Sequence, residues 1–264
     1  MPFLNFNGTI CPEDALLIAA GNPAFRRGEG LIETMRWHRD AVPLLRLHLQ
    51  RLNRSLPFLG LGGFALEQLE EEIMKTAVAC GRPQAAMIRA QFFPGPAPAP
   101  LQFLIECRTA DGPPPQGLSL GIATQVQKNP DALSALKTTS RLAYSFARRE
   151  AALRNLDDVL LTNFHGRVVE STVCNVFAIR NGHIYTPPLS EGCIAGVMRA
   201  YLLEQVQLGG MPFTEKPLEA GEVLEADEVF LSNALRGVLP VRKLNSRVYA
   251  SALTLQIAEA ICLW

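Results

Sequence analysis

A run of three prolines constrains the organisation of this chain more than any other local feature. Residues 111–115 read D-G-P-P-P. Because proline lacks a backbone N–H and fixes φ, three in succession cannot continue a helix or a sheet ladder. We therefore predict a linker here. It divides the 264 residues into a small N-terminal domain, residues 1–112, and a larger C-terminal domain, residues 113–264.

Apolar periodicity predicts both helices and strands in each domain, and hence a mixed α/β (α+β) fold. In the small domain we predict strands at residues 3–6, 31–37, 85–93 and 101–107, and helices at residues 43–59 and 66–80. In the large domain we predict strands at residues 118–124, 158–161, 168–171, 176–179 and 184–186 and near Val229 and Val241, and helices at residues 140–154, 195–208 and 250–263. The large domain is therefore expected to be the more β-rich.

Composition and charge exclude several classes of protein. Lys plus Arg and Asp plus Glu each number 25, so the chain has no net field that would attract nucleic acid. The N-terminus M-P-F-L-N-F-N-G-T lacks the pattern of a signal peptide, and no apolar run reaches the roughly 18 residues that span a bilayer. We expect a cytoplasmic protein that binds neither nucleic acid nor membrane.

The cysteines are scattered and form no C-x-x-C pair. This spacing favours buried free thiols over disulfides or a metal site, and we predict no bound metal. The positions are Cys11, Cys80, Cys107, Cys174, Cys193 and Cys262.

A lysine, a glutamate and a glycine-containing turn follow one another in the second half of the chain. Lys137 lies in L-K-T-T-S-R-L, Glu170 in G-R-V-V-E and Gly196 in C-I-A-G-V-M-R. A lysine amine forms a Schiff base with an aldehyde, and a carboxylate can keep a pyridine nitrogen protonated. A turn that opens a helix offers N–H groups to a phosphate. Alone, Lys137 is typical of a surface lysine, but the ordered set predicts a site for pyridoxal 5'-phosphate.

The wider pattern resembles the class IV, or fold-type IV, aminotransferases. This family includes branched-chain aminotransferases, D-amino acid aminotransferases and aminodeoxychorismate lyases. The resemblance rests on the motifs above and on R-R-G-E-G-L-I-E-T, L-R-L-H-L-Q-R-L-N-R-S and A-D-E-V-F-L-S-N-A-L-R-G-V-L-P-V. It covers nearly the whole chain. It implies a two-domain pyridoxal phosphate enzyme and a homodimer in which both protomers enclose each pocket.

The resemblance also implies roles for individual residues. Lys137 matches the Schiff-base lysine, which later acts as general base and acid, and Glu170 matches the partner of the pyridine nitrogen. Arg51, in H-L-Q-R-L, matches the arginine that binds the cofactor phosphate, whereas His48 in the same motif is expected to be structural. Further phosphate contacts are implied for Gly196, Val197, Met198, Asn233 and Ala234.

The motif variants favour one reaction within the family. Many relatives have G-I-T-R where this chain has G-V-M-R, so that Met198 offers only a backbone N–H. This variant, the N-A-L-R-G-V-L-P-V ending and K-T-T-S-R-L look most like aminodeoxychorismate lyases. Those enzymes release pyruvate and 4-aminobenzoate for folate biosynthesis. The alternative is a branched-chain or D-amino acid aminotransferase with the same cofactor site. Intact Lys137, Glu170 and Arg51 disfavour a third class, a catalytically inactive regulator.

The substrate pocket is less well marked. The lyases place an R-G pair after the strand that ends here in F-F-P-G, so another arginine must bind the substrate carboxylate. The candidates are Arg36, Arg89 and Arg141, and Ile32 is expected to line the same pocket.

Overall fold

The chain forms two compact units. The computed structural model describes residues 3–16, 18–95, 101–110, 117–206, 211–261 and 263. The described residues of Met1–Asp111 and Leu136–Ser140 belong to the first unit, and those of Gly112–Ala135 and Arg141–Leu263 belong to the second. The proline run lies outside the described residues, so the division at residue 112 stays a prediction.

The first unit combines one antiparallel sheet with helices. Its elements are β1 (Phe3–Phe6), β2 (Thr9–Pro12), α1 (Pro23–Arg27), β3 (Leu31–His38), α2 (Leu45–Ser55), α3 (Leu66–Ala79), β4 (Ala85–Pro94) and β5 (Leu101–Arg108). The strands are ordered β2-β1-β5-β4-β3. Asn7 and Gly8 form the β1–β2 turn, and both have positive φ, as a tight hairpin turn requires.

Strict alternation separates the two faces of this sheet. On β3, Met35 and Trp37 are fully buried in a core that also contains Leu52 of α2 and Ile73 of α3. The intervening side chains on β3 point to the opposite face and are half-buried. One face of the sheet is therefore the packing surface for the helices, and the other carries polar and mixed side chains.

The second unit is built on a larger mixed sheet. Its elements are β6 (Leu118–Gln127), α4 (Leu142–Leu153), β7 (Asp158–Thr162), β8 (Arg167–Ser171), β9 (Asn175–Arg180), β10 (His183–Thr186), α5 (Val197–Gln205), β11 (Phe213–Glu215), β12 (Leu218–Glu219), α6 (Ala220–Leu224), β13 (Glu228–Asn233), β14 (Gly237–Leu244), β15 (Arg247–Val248) and α7 (Ala252–Ile261). The strands are ordered β11-β10-β9-β13-β14-β6-β7-β8-β12, and β15 pairs with β14.

One additional pairing closes part of this sheet into a ring. Glu170 at the end of β8 lies opposite Asn175 at the start of β9. The path β9-β13-β14-β6-β7-β8 therefore returns to β9. Phe177 and Phe230 stack inside the unit with ring centroids 4.7 Å apart. The mixed α/β class predicted from the sequence is confirmed.

The long elements match their predictions, and the differences lie at element ends; the strand predicted at residues 118–124, for example, extends to Gln127. The helix predicted from residue 43 begins at Leu45, because Leu44 has a left-handed φ of 62°. The helix predicted from residue 195 begins at Val197, because Gly196 is still extended. The short elements β2, α1, α6, β11, β12 and β15 were not predicted, since two to five residues carry too little periodicity.

Two predictions made for the whole chain, on the cysteines and on membrane-spanning helices, can be compared with the structure. The cysteines at positions 107, 174 and 193 are buried free thiols, as predicted, whereas the free thiols Cys11 and Cys80 are half-buried and that prediction was wrong for them; Cys262 lies outside the described residues. In the part of the chain that the structure describes, no helix combines the length and apolar character needed to cross a membrane.

A buried ion pair ties α2 to β3 in the first unit. The Glu33 carboxylate accepts hydrogen bonds from Arg51 Nε at 2.9 Å and Nη2 at 2.6 Å, and from His48 Nδ1 at 2.5 Å. Burial alone would raise the pKa of Glu33, but Arg51 and His48 outweigh it and hold this pKa at about 2. Burial lowers the pKa of His48, so its neutral imidazole donates to Glu33. The carboxylate is thus fully compensated.

Replacing Glu33 by glutamine should destabilise the first unit in a pH-dependent way. The variant removes the buried charge that pairs directly with Arg51, so we expect the free energy of unfolding at pH 7 to fall by about 3 kcal/mol. Because the pKa of Glu33 is depressed from 4.5 to about 2, its contribution is complete above pH 4.5 and is lost as the pH falls towards 2. Urea unfolding, followed by tryptophan fluorescence at several pH values, measures both the loss of stability at pH 7 and its dependence on pH.

The matched control is Glu29→Gln. Glu29 pairs with Arg27 at the surface, so its loss should leave the unfolding midpoint nearly unchanged at every pH. A Glu33→Gln deficit that is equally large at pH 7 and pH 2.5 would contradict the role given to the ionised carboxylate.

Candidate active site

Glu170 is a buried carboxylate at the point where β8 meets β9. Only 3% of the residue is exposed. Its Oε1 accepts a hydrogen bond from the Tyr144 hydroxyl at 2.6 Å, and its Oε2 accepts one from the Ile194 N–H at 3.0 Å. Both oxygens are therefore held by donors from other elements, and the carboxylate has a fixed orientation.

The charge on Glu170 is incompletely compensated. Burial raises its pKa above the usual value. The Tyr144 hydroxyl, the Ile194 N–H and the more distant charges of Lys128 and Arg141 lower it, but burial prevails. A carboxylate in this state binds a proton more readily than an exposed glutamate, and it gains from an additional hydrogen-bond donor or cation.

Helix α4 brings Tyr144 to Glu170. Its buried residues include Ala147 and Ala151, whose small side chains allow the helix to pack closely on β6 and β7. The Arg141 guanidinium lies 4.0 Å from the centre of the Tyr144 ring, and its Nη2 donates to the Thr172 carbonyl at 2.8 Å. Arg141, predicted as a candidate for the substrate carboxylate, is thus engaged with Tyr144 and with the β8–β9 turn.

The turn before α5 is shaped by Asn175. Asn175 Nδ2 donates to the Ile194 carbonyl at 2.9 Å and so holds Ile194, the residue whose N–H donates to Glu170. A Cβ on Gly196 would lie 1.8 Å from Asn175 Oδ1, so this position accepts only glycine. Asn175 therefore orders the backbone here.

The N-terminus of α5 has the character of an anion site. Gly196 is the N-cap residue and supplies no side-chain cap, while Val197 and Met198 in the first turn are buried. The first N–H groups of a helix have no partner within the helix, and the helix dipole favours a negative charge beside them. Arg199 is structural, since it donates to the Pro187 carbonyl at 2.8 Å and pairs with Glu215.

Asn233 and Ala234 lie where β13 turns into β14. Asn233 Oδ1 accepts from the N–H groups of Leu235 at 3.1 Å and Arg236 at 2.8 Å, and its Nδ2 lies 3.1 Å from Cys174 Sγ. The Asn233 side chain therefore shapes this hairpin, and its backbone neighbour Ala234 is half-buried.

Backbone hydrogen bonds hold the segment that contains Lys137 beside the start of β3. The Lys137 carbonyl accepts from the Ile32 N–H at 2.8 Å, and Thr139 donates its N–H to the Gly30 carbonyl at 2.8 Å. The Lys137 charge contributes to lowering the pKa of His48, although burial is the main cause. The half-buried lysine thus belongs to the same unit as Arg51 and its partner Glu33.

The predicted pocket residues of the first unit share one face of its sheet. Ile32 and Arg36 alternate with the buried side chains of β3, so they point away from the helices. Thr34, between them, lies opposite Arg89 of β4 in the antiparallel register. Directly opposed residues share a face, so Arg89 lies on the same side as Ile32 and Arg36.

The structure groups the predicted site residues into two sets. The first unit holds Arg51, Lys137, Ile32, Arg36 and Arg89. The second unit holds Glu170, Arg141, Gly196, Val197, Met198, Asn233 and Ala234. The sequence did not reveal four further residues around Glu170 and Arg51, namely Tyr144, Ile194, Lys128 and Glu33. Each of them contacts or faces a residue of another element, and such contacts become visible only in the structure.

Comparison with known proteins agrees with the motifs. Residues 30–244 match the family "Amino-transferase class IV". A probable branched-chain-amino-acid aminotransferase of Thermotoga maritima is 29% identical over 222 residues, covering 82% of this chain and 78% of that protein. The aminodeoxychorismate lyase of Bacillus subtilis is 26% identical over 266 residues, covering 93% and 87%.

A solved structure shows the same fold. The branched-chain aminotransferase of Thermoproteus uzoniensis, solved with norvaline, superposes with a TM-score of 0.89 at 24% identity, covering 98% of this chain and 92% of that one. Together with the match over residues 30–244, this establishes the architecture as that of fold-type IV. The chain belongs to the class IV aminotransferases, a family of enzymes that depend on pyridoxal phosphate.

Proposed function

We propose that the protein is a pyridoxal 5'-phosphate-dependent aminodeoxychorismate lyase, which releases pyruvate and 4-aminobenzoate. The observation that carries this proposal is the first turn of α5, where the buried Met198 stands in place of a hydroxyl side chain. The resemblance of G-V-M-R, K-T-T-S-R-L and the N-A-L-R-G-V-L-P-V ending to the lyases points the same way.

The described residues fit the cofactor. Glu170 is a buried, oriented carboxylate whose raised pKa makes an additional donor favourable, as a pyridinium N–H would be. The α5 N-terminus lacks a side-chain cap, which suits a phosphate. Arg51 is held rigidly by Glu33, and a guanidinium with fixed orientation is well suited to a phosphate.

We assign the following roles to these residues. When bound, pyridoxal phosphate would supply an aldehyde that can react with an amine and a ring that can withdraw electrons. Lys137 supplies the amine that holds the cofactor aldehyde, and Glu170 keeps the pyridine nitrogen protonated. Phosphate oxygens are bound by Arg51, by the backbone N–H groups of Gly196, Val197 and Met198, and by the turn at Asn233 and Ala234.

The lyase reaction needs one base and one acid at the substrate. Breaking the carbon–oxygen bond releases the three-carbon unit, and loss of a ring proton makes the remaining ring aromatic. The Lys137 amine removes this proton and returns a proton to the leaving group. We assign the substrate carboxylate to Arg36 or Arg89, which share one sheet face with Ile32, because Arg141 is engaged with Thr172 and Tyr144.

Lys137, rather than another lysine, should carry the cofactor. The purified protein should be yellow, and borohydride reduction should fix the cofactor on the peptide that contains Lys137. Lys128 is the matched comparison, because it is half-buried and its charge acts on Glu170. Peptide mapping should show the label at Lys137 in both the wild type and Lys128→Arg, and no label in Lys137→Ala. A label on Lys128 would refute the assignment.

The reaction itself is decided by supplying aminodeoxychorismate without any keto acid. We expect 4-aminobenzoate, detected by fluorescence, and an equal amount of pyruvate, detected by coupled reduction. Glu170→Gln should still bind cofactor but lower the turnover by orders of magnitude, because it keeps the shape and removes the charge.

The alternative reaction has its own signature. The relative from Thermotoga maritima is called a probable branched-chain aminotransferase, so leucine and D-alanine are tested as amino donors with 2-oxoglutarate. An aminotransferase loses its yellow absorbance on addition of the amino donor alone. Rapid loss of colour with either donor, with aminodeoxychorismate left unchanged, would replace the lyase proposal by the aminotransferase.

We also propose that the protein is a homodimer, as the family resemblance implies. Helix α4 exposes Leu142, Phe146 and Leu153 to 81%, 46% and 84%. The spacings of four and seven residues place them along one stripe. A stripe of large apolar side chains is typical of a protein–protein contact, and a second copy of this chain is the occupant we propose.

Disruption of this stripe should separate the protomers. We expect the wild type to sediment as a dimer and Phe146→Glu to shift towards the monomer, because a buried, unpaired carboxylate is costly. Val248→Glu is the control, since Val248 is exposed on β15 and not on this stripe. A wild-type protein that sediments as a monomer at the concentration where it is fully active would contradict the proposal.

A further inference from the structure

We propose that Tyr144 is a positioning residue of this enzyme, whose hydroxyl keeps the Glu170 carboxylate ionised and oriented and thereby sets the proton on the cofactor ring nitrogen. This inference rests on the proposed binding of pyridoxal phosphate at Glu170. It adds a residue for which neither the sequence motifs nor the family match gives a role.

The geometry of the contact carries the inference. The Tyr144 hydroxyl lies 2.6 Å from Glu170 Oε1, a short hydrogen bond of the kind a charged acceptor makes. Glu170 is 3% exposed, so water does not compete with this donor. The other oxygen is held by the Ile194 N–H at 3.0 Å. The plane and the direction of the carboxylate are therefore fixed by these two donors.

Tyr144 is itself held in place from two sides. The Arg141 guanidinium lies over its ring at 4.0 Å and is anchored on the Thr172 carbonyl. The ring also packs against the buried cluster formed by α4, β6 and β7. The hydroxyl cannot swing away without breaking these contacts, so the donor is available in a single direction.

The surrounding charges show why the hydroxyl matters. The groups that act on Glu170 are Tyr144 and Arg141 at the start of α4, Lys128 after β6 and Cys193 before α5. Lys128 donates to the Ser134 carbonyl at 2.9 Å, and Arg141 donates to the Thr172 carbonyl at 2.8 Å. The hydrogen bonds described for the Glu170 carboxylate come from the neutral Tyr144 hydroxyl and the Ile194 N–H, and Tyr144 is the side-chain donor of the two.

The Tyr144 hydrogen bond affects where one proton lies when the cofactor is bound. The proton can lie on Glu170, which leaves the ring nitrogen unprotonated, or on the ring nitrogen, which leaves Glu170 as a carboxylate. Burial favours the neutral acid, whereas a hydrogen bond to the ionised form favours the carboxylate. By donating to Oε1, Tyr144 moves this equilibrium towards the carboxylate, the state in which the ring withdraws electrons from the substrate.

The variant Tyr144→Phe removes the hydroxyl and retains the ring beneath Arg141. In full-length protein labelled with [δ-13C]glutamate, the Glu170 signal is identified by its loss in Glu170→Gln. Before cofactor is added, we expect Glu170 to titrate at higher pH in Tyr144→Phe than in the wild type, because the anion has lost a donor. After addition of 15N-labelled pyridoxal phosphate, the ring nitrogen should be less protonated and the cofactor dissociation constant about tenfold larger.

Tyr249→Phe separates this effect from a general loss of packing. Tyr249 donates its hydroxyl to the Val223 carbonyl at 2.9 Å in the same unit, away from Glu170. This variant loses a comparable buried hydrogen bond, yet the Glu170 titration and the ring nitrogen signal should match the wild type. Thermal unfolding of both variants reports any common loss of stability.

The two proposals fail in different ways. Equal Glu170 titration in the wild type and Tyr144→Phe would overturn the role of Tyr144, whether or not cofactor binds. If the Glu170 titration shifts as expected but the wild type binds no pyridoxal phosphate, the coupling of Tyr144 to Glu170 stands and the proposed function is wrong.

Discussion

Two buried glutamates, compensated to different degrees, anchor the first unit and the site at which we propose that the cofactor binds. Glu33 has a guanidinium and an imidazole as direct partners, and its pKa is held at about 2. Glu170 has a phenol and a peptide N–H instead, and burial raises its pKa. A carboxylate with a full set of charged partners gains little from a ligand. One with neutral partners retains the capacity to bind a proton or a cation.

This difference follows from where each glutamate lies in its sheet. Glu33 is on a β3 face covered by α2, whose residues His48 and Arg51, three positions apart, reach the same carboxylate. Glu170 lies where β8 and β9 close the strand ring, and its neighbours come from α4 and from the turn before α5. The ring closure thus brings elements from distant parts of the sequence to one carboxylate.

Much of this was predictable from the sequence, because the signals are local. The strand β3 alternates strictly over eight residues and β4 over its first eight, and the lysine, glutamate and glycine motifs are contiguous segments. Tyr144 was not predictable as a site residue, since its contact with Glu170 spans 26 positions and depends on how α4 packs. Asn233 shows the converse, because its motif was recognised while its side chain shapes a hairpin.

The segment that carries Lys137 shows how the chain connects its two units. Residues Leu136–Ser140 belong to the first unit, although the residues on either side belong to the second. Hydrogen bonds to Gly30 and Ile32, more than 100 positions away, hold the segment beside β3. Any displacement of β3 therefore moves the backbone of Lys137 with it. Because β3 also carries Glu33, and through it Arg51, one strand sets the positions of the lysine and the arginine proposed to bind the cofactor.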